Sequence, residues 1–331
     1  MVHLRIVAPH EVAARALELL EGSGSVCNVI LLEGVARKPA GDVILCDVAR
    51  EDASVIVEDL KELDIPAQGS IALEYIDTQL SDAADRAEKH APGLPSDAVI
   101  WEDVEHRTEE MTQLSLSFVA FMVLSMLIAS VGIMLDQPIL IVGAMVVGPE
   151  FGPLAGLCVA IVEKRGALVH RSLLALGGGF PVGVAFTVAA TLALDVAGLV
   201  PGDFRTDEHP LTGFISNPDF FSFFVAYIAG TAGVLSLTNA KSGALIGVLI
   251  SVTTIPAAAN AGVAGALGDW SEAAGAGAQL GLNLVAIVLA GVVTLFVQRR
   301  WYVARRVRHL RDPARRAAGL PLGRSRNDTR P

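Results

Sequence analysis

The stretch Ile139 to Ile161, ILIVGAMVVGPEFGPLAGLCVAI, limits what this chain can fold into more than any other. It is apolar and long enough to cross a bilayer as a helix, which takes about 20 residues. Its centre is nonetheless Gly148-Pro149-Glu150-Phe151-Gly152-Pro153. Proline has no backbone N–H and collides with the preceding turn, so two prolines beside two glycines predict a broken helix. Glu150 is the one carboxylate deep inside a hydrophobic segment, where a charge costs about 2.5–3.5 kcal/mol on insertion scales. A proton, a cation or a buried base must balance it, and no Lys or Arg stands deep in any of the apolar runs.

Those runs fall almost entirely between Leu114 and Val297, which predicts an integral membrane protein with a soluble part at each end. The first 30 residues carry charges throughout and no apolar core, so no cleavable signal peptide is expected. Charge is polarised along the chain. Residues 1–113 hold 9 Lys and Arg against 23 Asp and Glu, and residues 299–331 hold 11 Arg against 2 Asp. The acidic part reads as a well-solvated domain. The Arg-rich tail reads as a topology signal that meets anionic membrane lipids. Without interleaved aromatics, its Arg clusters give no reason to expect nucleic acid. Cys27, Cys46 and Cys158 show no metal-binding spacing, so no metal or cofactor is expected. Cys27 and Cys46 flank the turn at Arg37–Gly41 and are expected to face one another across a hairpin as packing residues. The sequence has no HExxH, nucleophile elbow or kinase motif, which argues against an enzyme.

Residues 1–78 read as a cytosolic α+β domain. Val2–Ala8, Val26–Glu33, Asp42–Val48 and Ser70–Ile76 have the composition of strands, and Glu11–Leu20 and Glu51–Leu63 have the apolar spacing of helices. The order βαββαβ is the ferredoxin-like pattern, a frame for ligand-sensing and assembly modules. Residues 79–112 then form a linker and a juxtamembrane helix, Asp97–Met111.

Residues 113–298 read as a six-span α-helical membrane domain: Leu114–Leu135, Ile139–Ile161, Leu168–Leu194, Phe220–Leu237, Ser242–Leu267 and Ala273–Val297. The third and fifth are also interrupted, at Gly177–Pro181 and at Ile255-Pro256. Basic and acidic loops alternate, which places both termini in the cytoplasm. Residues 299–331 form the basic cytosolic tail, expected to be largely disordered after about residue 312. In each group of three spans a very short link precedes a Gly-rich second span, and Pro153 and Pro256 lie at corresponding places. An odd number of spans per half makes these inverted repeats, whose broken second spans point to a transport site near the midplane. Breaking a helix frees N–H and C=O groups that a solute or ion can use. The candidate residues are Gly148, Pro149, Glu150, Gly152 and Pro153 from the first half. From the second half they are Thr253, Thr254, Pro256, Asn260, Gln279 and Asn283. Small-xxx-small patterns such as Gly148/Gly152 and Gly179/Gly183 also let helices pack closely without any substrate.

Ile141–Gly156, IVGAMVVGPEFGPLAG, and Ile246–Gly262, IGVLISVTTIPAAANAG, resemble the Gly/Pro motifs of the domain of unknown function 389 family of bacterial and archaeal multi-pass membrane proteins. The resemblance covers about Met111 to Val297 and implies the multi-pass fold in a bacterial cytoplasmic (inner) membrane. That family commonly has an apolar residue where Glu150 stands, and often a second proline near Pro256, so the carboxylate marks a subgroup. Two functions follow. One is a transporter or channel for a small solute or ion, a homo-oligomer with a cytosolic regulatory or assembly domain. The alternative is a non-transporting scaffold or sensor whose N-terminal domain binds a ligand or partner.

Overall fold

The computed structural model of the protein describes residues 1–91, 93–94, 98–201, 215–239 and 253–325. They divide into two compact units, Met1–Glu102 with Gln298–Pro331, and Asp103–Val297.

The first unit is built on strand β1 (Val2–Ala8), helix α1 (His10–Gly22), strands β2 (Val26–Arg37) and β3 (Ala40–Val48), helix α2 (Ala53–Glu62), the short helix α3 (Ile65–Gln68) and strand β4 (Ser70–Tyr75). The sheet order is β2-β3-β1-β4, with every neighbouring pair antiparallel. Alternation along β1 sends Val2, Leu4, Ile6 and Ala8 into the core, where they meet Leu19 and Leu20 of α1 and Ile56 and Leu60 of α2. Register corrects the expectation for the cysteines. Cys27 lies opposite Asp47, while Cys46 is one residue out of phase and buried on the helix-covered face. A shift of one residue turns a side chain to the other face, so the two thiols do not face one another. Helix α4 (Asp82–His90) follows, and the side chain of Ser81 caps its N-terminus by accepting from the Ala84 amide.

Helix α5 (Trp101–Met111) leads into the second unit. That unit contains α6 (Leu116–Met134), α7 (Pro138–Val147), α8 (Phe151–Val162), α9 (Gly166–Val196), α10 (Phe220–Thr238), α11 (Thr254–Leu267) and the first part of α12 (Trp270–His309). Among the described residues α6, α9, α10 and α12 are each long and apolar enough to cross a membrane. The pair α7 and α8, bent by 52° at its break, makes a fifth if it counts as one span. The expected fifth span, Ser242–Leu267, begins outside the described residues, as do residues 240 and 241 of the short link before it. Only α11 represents that span here. One expected interruption is absent: α9 runs unbroken through Gly177–Pro181. An apolar helix tolerates an internal proline where neighbouring helices, Ser/Thr side chains or local backbone adjustment satisfy the freed carbonyl. The neighbouring glycines serve packing instead, since a Cβ on Gly179 would meet Phe118 at 2.8 Å and one on Gly183 would meet Met126 at 2.3 Å.

The C-terminal segment returns to the first unit, and here the sequence expectation fails. Beyond residue 312 the chain forms helix α13 (Pro313–Ala317), and Ala314, Ala318 and Leu320 join the core of the α/β unit. Arg315 is fully buried. It donates to both Asp59 and Glu62 of α2, at 2.9 Å to Glu62 Oε2. Arg306 reaches the same two acids, at 2.7 Å to Glu62 Oε1, and His309 Nε2 lies 2.8 Å from Asp59 Oδ2. The Arg-rich tail is therefore partly an internal counterion for α2.

Candidate functional site

The break in the second expected span is where sequence and structure meet. Helix α7 ends at Val147 and Gly148 turns the chain out at φ −64°, ψ 130°. Glu150 then stands at the N-cap of α8, its side chain making no cap hydrogen bond. Gly148, two residues before it, leaves room for both the carboxylate and Ile255. A Cβ at position 148 would lie 2.4 Å from Glu150 Oε2 and 2.7 Å from Ile255 Cγ1. Pro153 is the third residue of α8, a position in the first turn where the missing N–H costs no helical bond. Pro256 holds the same third position in α11, which begins at Thr254.

Glu150 is 4% exposed. Its Oε1 accepts from Thr254 Oγ1 at 2.7 Å, joining the break to the first residue of α11. Its Oε2 is buried and has no partner among the described residues. The polar chain continues from the next residue back. Thr253 Oγ1 accepts from Asn283 Nδ2 at 3.0 Å, and Asn283 Oδ1 accepts from Gln279 Nε2 at 3.3 Å. Two helix N-termini, those of α8 and α11, therefore converge on one carboxylate. Each carries about half a positive charge, so together they offset much of the cost of a carboxylate there.

Depth follows from helix geometry. Asn283 lies about 20 Å along α12 from Trp270 and about 24 Å from Arg299, at a rise of 1.5 Å per residue. Its contacts with Thr253, and through Thr254 with Glu150, thus sit near the middle of the apolar length.

Of the eleven expected residues, the structure gathers Gly148, Glu150, Thr253, Thr254, Gln279 and Asn283, with Pro149, Pro153 and Pro256 shaping the two helix starts. Gly152 serves packing, because a Cβ there would lie 2.8 Å from the Met111 carbonyl oxygen on α5. Asn260 belongs to a separate contact, donating from Nδ2 to Glu272 Oε1 at 3.0 Å. Glu272 lies one residue outside the expected sixth span, Ala273–Val297. Its spacing was the available signal, since residues 272, 279 and 283 fall on one helical face. Among the described residues no three His, Cys, Asp or Glu side chains gather as a metal site.

Residues 145–289, which contain this entire polar arrangement from Glu150 to Asn283, match a family model described as a domain of unknown function (DUF389). The chain is also 24% identical over 251 residues to an uncharacterized protein, MJ0678, of Methanocaldococcus jannaschii, covering 73% of this chain and 72% of that one. No solved structure matches the chain. By both comparisons the chain resembles the DUF389 proteins.

Proposed function

We propose that the protein is a membrane transporter or channel for a small solute or ion, and that its site is the buried polar chain at the α7–α8 break. One observation carries this reading. Thr254 bonds Glu150 from across the unit, at mid-length of the apolar helices, while the second carboxylate oxygen stays unpartnered. A helix broken at a carboxylate is costly to fold and needs a compensating use. The matching third-position prolines of α8 and α11 support two related halves in a six-span inverted repeat. The βαββαβ order and the β2-β3-β1-β4 sheet support a ferredoxin-like unit, acting as a cytosolic regulatory or oligomerisation module. The alternation of loop charge supports an inner-membrane protein with both termini cytoplasmic.

The test is a flux screen of purified protein in liposomes across monovalent ions, protons, anions and amino acids. The expected result is a signal above empty liposomes that Glu150→Gln reduces at least tenfold while the protein remains folded by size-exclusion chromatography. Background flux for every species refutes the reading.

A further inference from the structure

In a hydrogen-bonded network, the atoms left over tell what the network is waiting for. Along the polar chain and in the separate Asn260–Glu272 contact, each amide nitrogen donates to a protein acceptor: Asn283 Nδ2 to Thr253, Gln279 Nε2 to Asn283, and Asn260 Nδ2 to Glu272. The Glu272 carboxylate fixes the sense of Asn260, because a carboxylate accepts and the amide N–H must point to it. The atoms left buried without a partner are Glu150 Oε2, Gln279 Oε1 and Asn260 Oδ1. All three are acceptor oxygens. An unmatched buried acceptor costs about 1–3 kcal/mol, and what satisfies it must offer a hydrogen-bond donor or a positive charge.

Gln279 and Asn260 stand on two helix faces that meet. On α12, Glu272, Ala276, Gln279 and Asn283 follow the spacing of one helical face, and the last three are buried. On α11, Thr253, Ala257 and Asn260 do the same, with Ala257 and Asn260 buried. The two ladders meet at Thr253–Asn283 and again at Asn260–Glu272, with alanines between the polar rungs. From Asn283 the Glu272 end of the ladder lies about 16 Å further along α12, beside the turn at Gly268-Asp269 where Asp269 caps the helix by accepting from the Glu272 amide.

We infer that the path carries a small monovalent cation, an alkali-metal ion or a proton. Glu272 with Asn260 forms its first station, Gln279 the next, and Glu150 the midplane station. This rests on the transport reading and names its substrate class and route. The chemistry excludes an anion at the midplane, because Glu150 already supplies the negative charge that the two helix N-termini favour. It also disfavours a divalent ion, which takes six or more oxygen ligands with several carboxylates, whereas each station here has at most one. A lone carboxylate already offset by helix ends holds a cation weakly, as conduction requires.

The experiment uses the full chain in liposomes, with sodium-, potassium- and pH-sensitive dyes in separate arms and chloride as the anion arm. Calorimetric titration of the detergent-solubilised protein with sodium or potassium chloride, and with pH, reads binding independently. Cation flux reduced at least fivefold by Glu272→Gln and by Asn260→Leu, and at least tenfold by Glu150→Gln, supports the inference. The dye arm that responds distinguishes a metal ion from a proton. Wild-type flux of chloride or a neutral solute without cation flux overturns it while leaving the transport reading intact. Unchanged cation flux in a folded Glu272→Gln variant overturns the proposed route. Cation binding that Glu150→Gln abolishes, with no flux of any species, refutes transport and upholds the cation site.

Discussion

Replacing Arg315 by methionine should release the C-terminal segment from the α/β unit. Arg315, Asp59 and Glu62 have fully buried side chains, and two carboxylates there are matched by the guanidinium groups of Arg306 and Arg315, with His309 beside Asp59. The substitution keeps the apolar volume and removes one fixed positive charge, leaving Arg306 to balance both acids. Breaking a buried pair by deleting one partner costs about 3–5 kcal/mol. At about 1.4 kcal/mol per tenfold, local opening of the segment becomes roughly two to three and a half powers of ten more frequent. Hydrogen exchange on the purified full chain reads this directly. Amides of residues 313–320 should lose protection by that factor, while those of β1 and β3 keep theirs. The double variant Arg315→Met with Glu62→Leu restores the charge balance with apolar volume. It should recover most of the protection, since buried pairs are often replaced by apolar groups without loss. Unchanged protection in the single variant, or a double variant less protected than the single, refutes the electrostatic account.

Two further outcomes follow from named contacts. Thr254→Val keeps the shape of the side chain and removes the donor to Glu150 Oε1. Its effect should be about 1.5–3 kcal/mol of stability, and a double-mutant cycle with Glu150→Gln in detergent should show most of that as coupling. In the α/β unit, the hydrogen bond that His10 donates to Asp42 raises His10 above the usual 6.5. The Gly34 amide first, and then His10, hold Asp42 below the usual 3.8. The Asp42 contribution is present above its unfolded value and is lost as pH falls through its lowered one. The His10 contribution is full below 6.5 and is lost as pH rises through its elevated value. The His10 ring, followed by NMR in the full chain, should titrate above 6.5, and Asp42→Asn should return it to that value.

The residues themselves explain what was legible. The break at Gly148–Glu150 was legible because proline and glycine act locally, through backbone geometry that needs no knowledge of neighbours. Thr253 and Thr254 were legible from the paired interruption at Pro256, and Asn283 from its place four residues after Gln279 on one helical face. The continuity of α9 was not, because the same signal at Gly177–Pro181 has two physical outcomes and packing against Phe118 and Met126 decides between them. The docking of the tail was hidden by composition, since a run of arginines looks the same whether it meets water, lipid or acids. A sign of it did exist. Asp59 lies on the stripe of α2 that also carries Ile56, Leu60 and Leu63, and Glu62 follows Val55 and Asp59 at helical spacing, where a solvated acid has no place. Glu272 was obscured in the same way, as a loop charge whose neighbour Asn260 is reached only when α11 and α12 fold back on one another.

The two buried acidic sites answer one problem differently. At α2 two carboxylates in the interior are matched by two arginines and a histidine, fixed in place by the fold. At the α7–α8 break a single carboxylate receives one hydroxyl and the ends of two helices, and one of its oxygens is left open. The chain has 25 Lys and Arg to draw on. A carboxylate that served folding alone would be stabilised most simply by one of them, as Asp59 and Glu62 are. A permanent base would also close the site to any other positive charge. Incomplete compensation at Glu150 is costly to stability and useful only where the missing charge arrives and departs. That difference between a finished ion pair and an unfinished one is the ground on which the cation proposal for Glu150 stands.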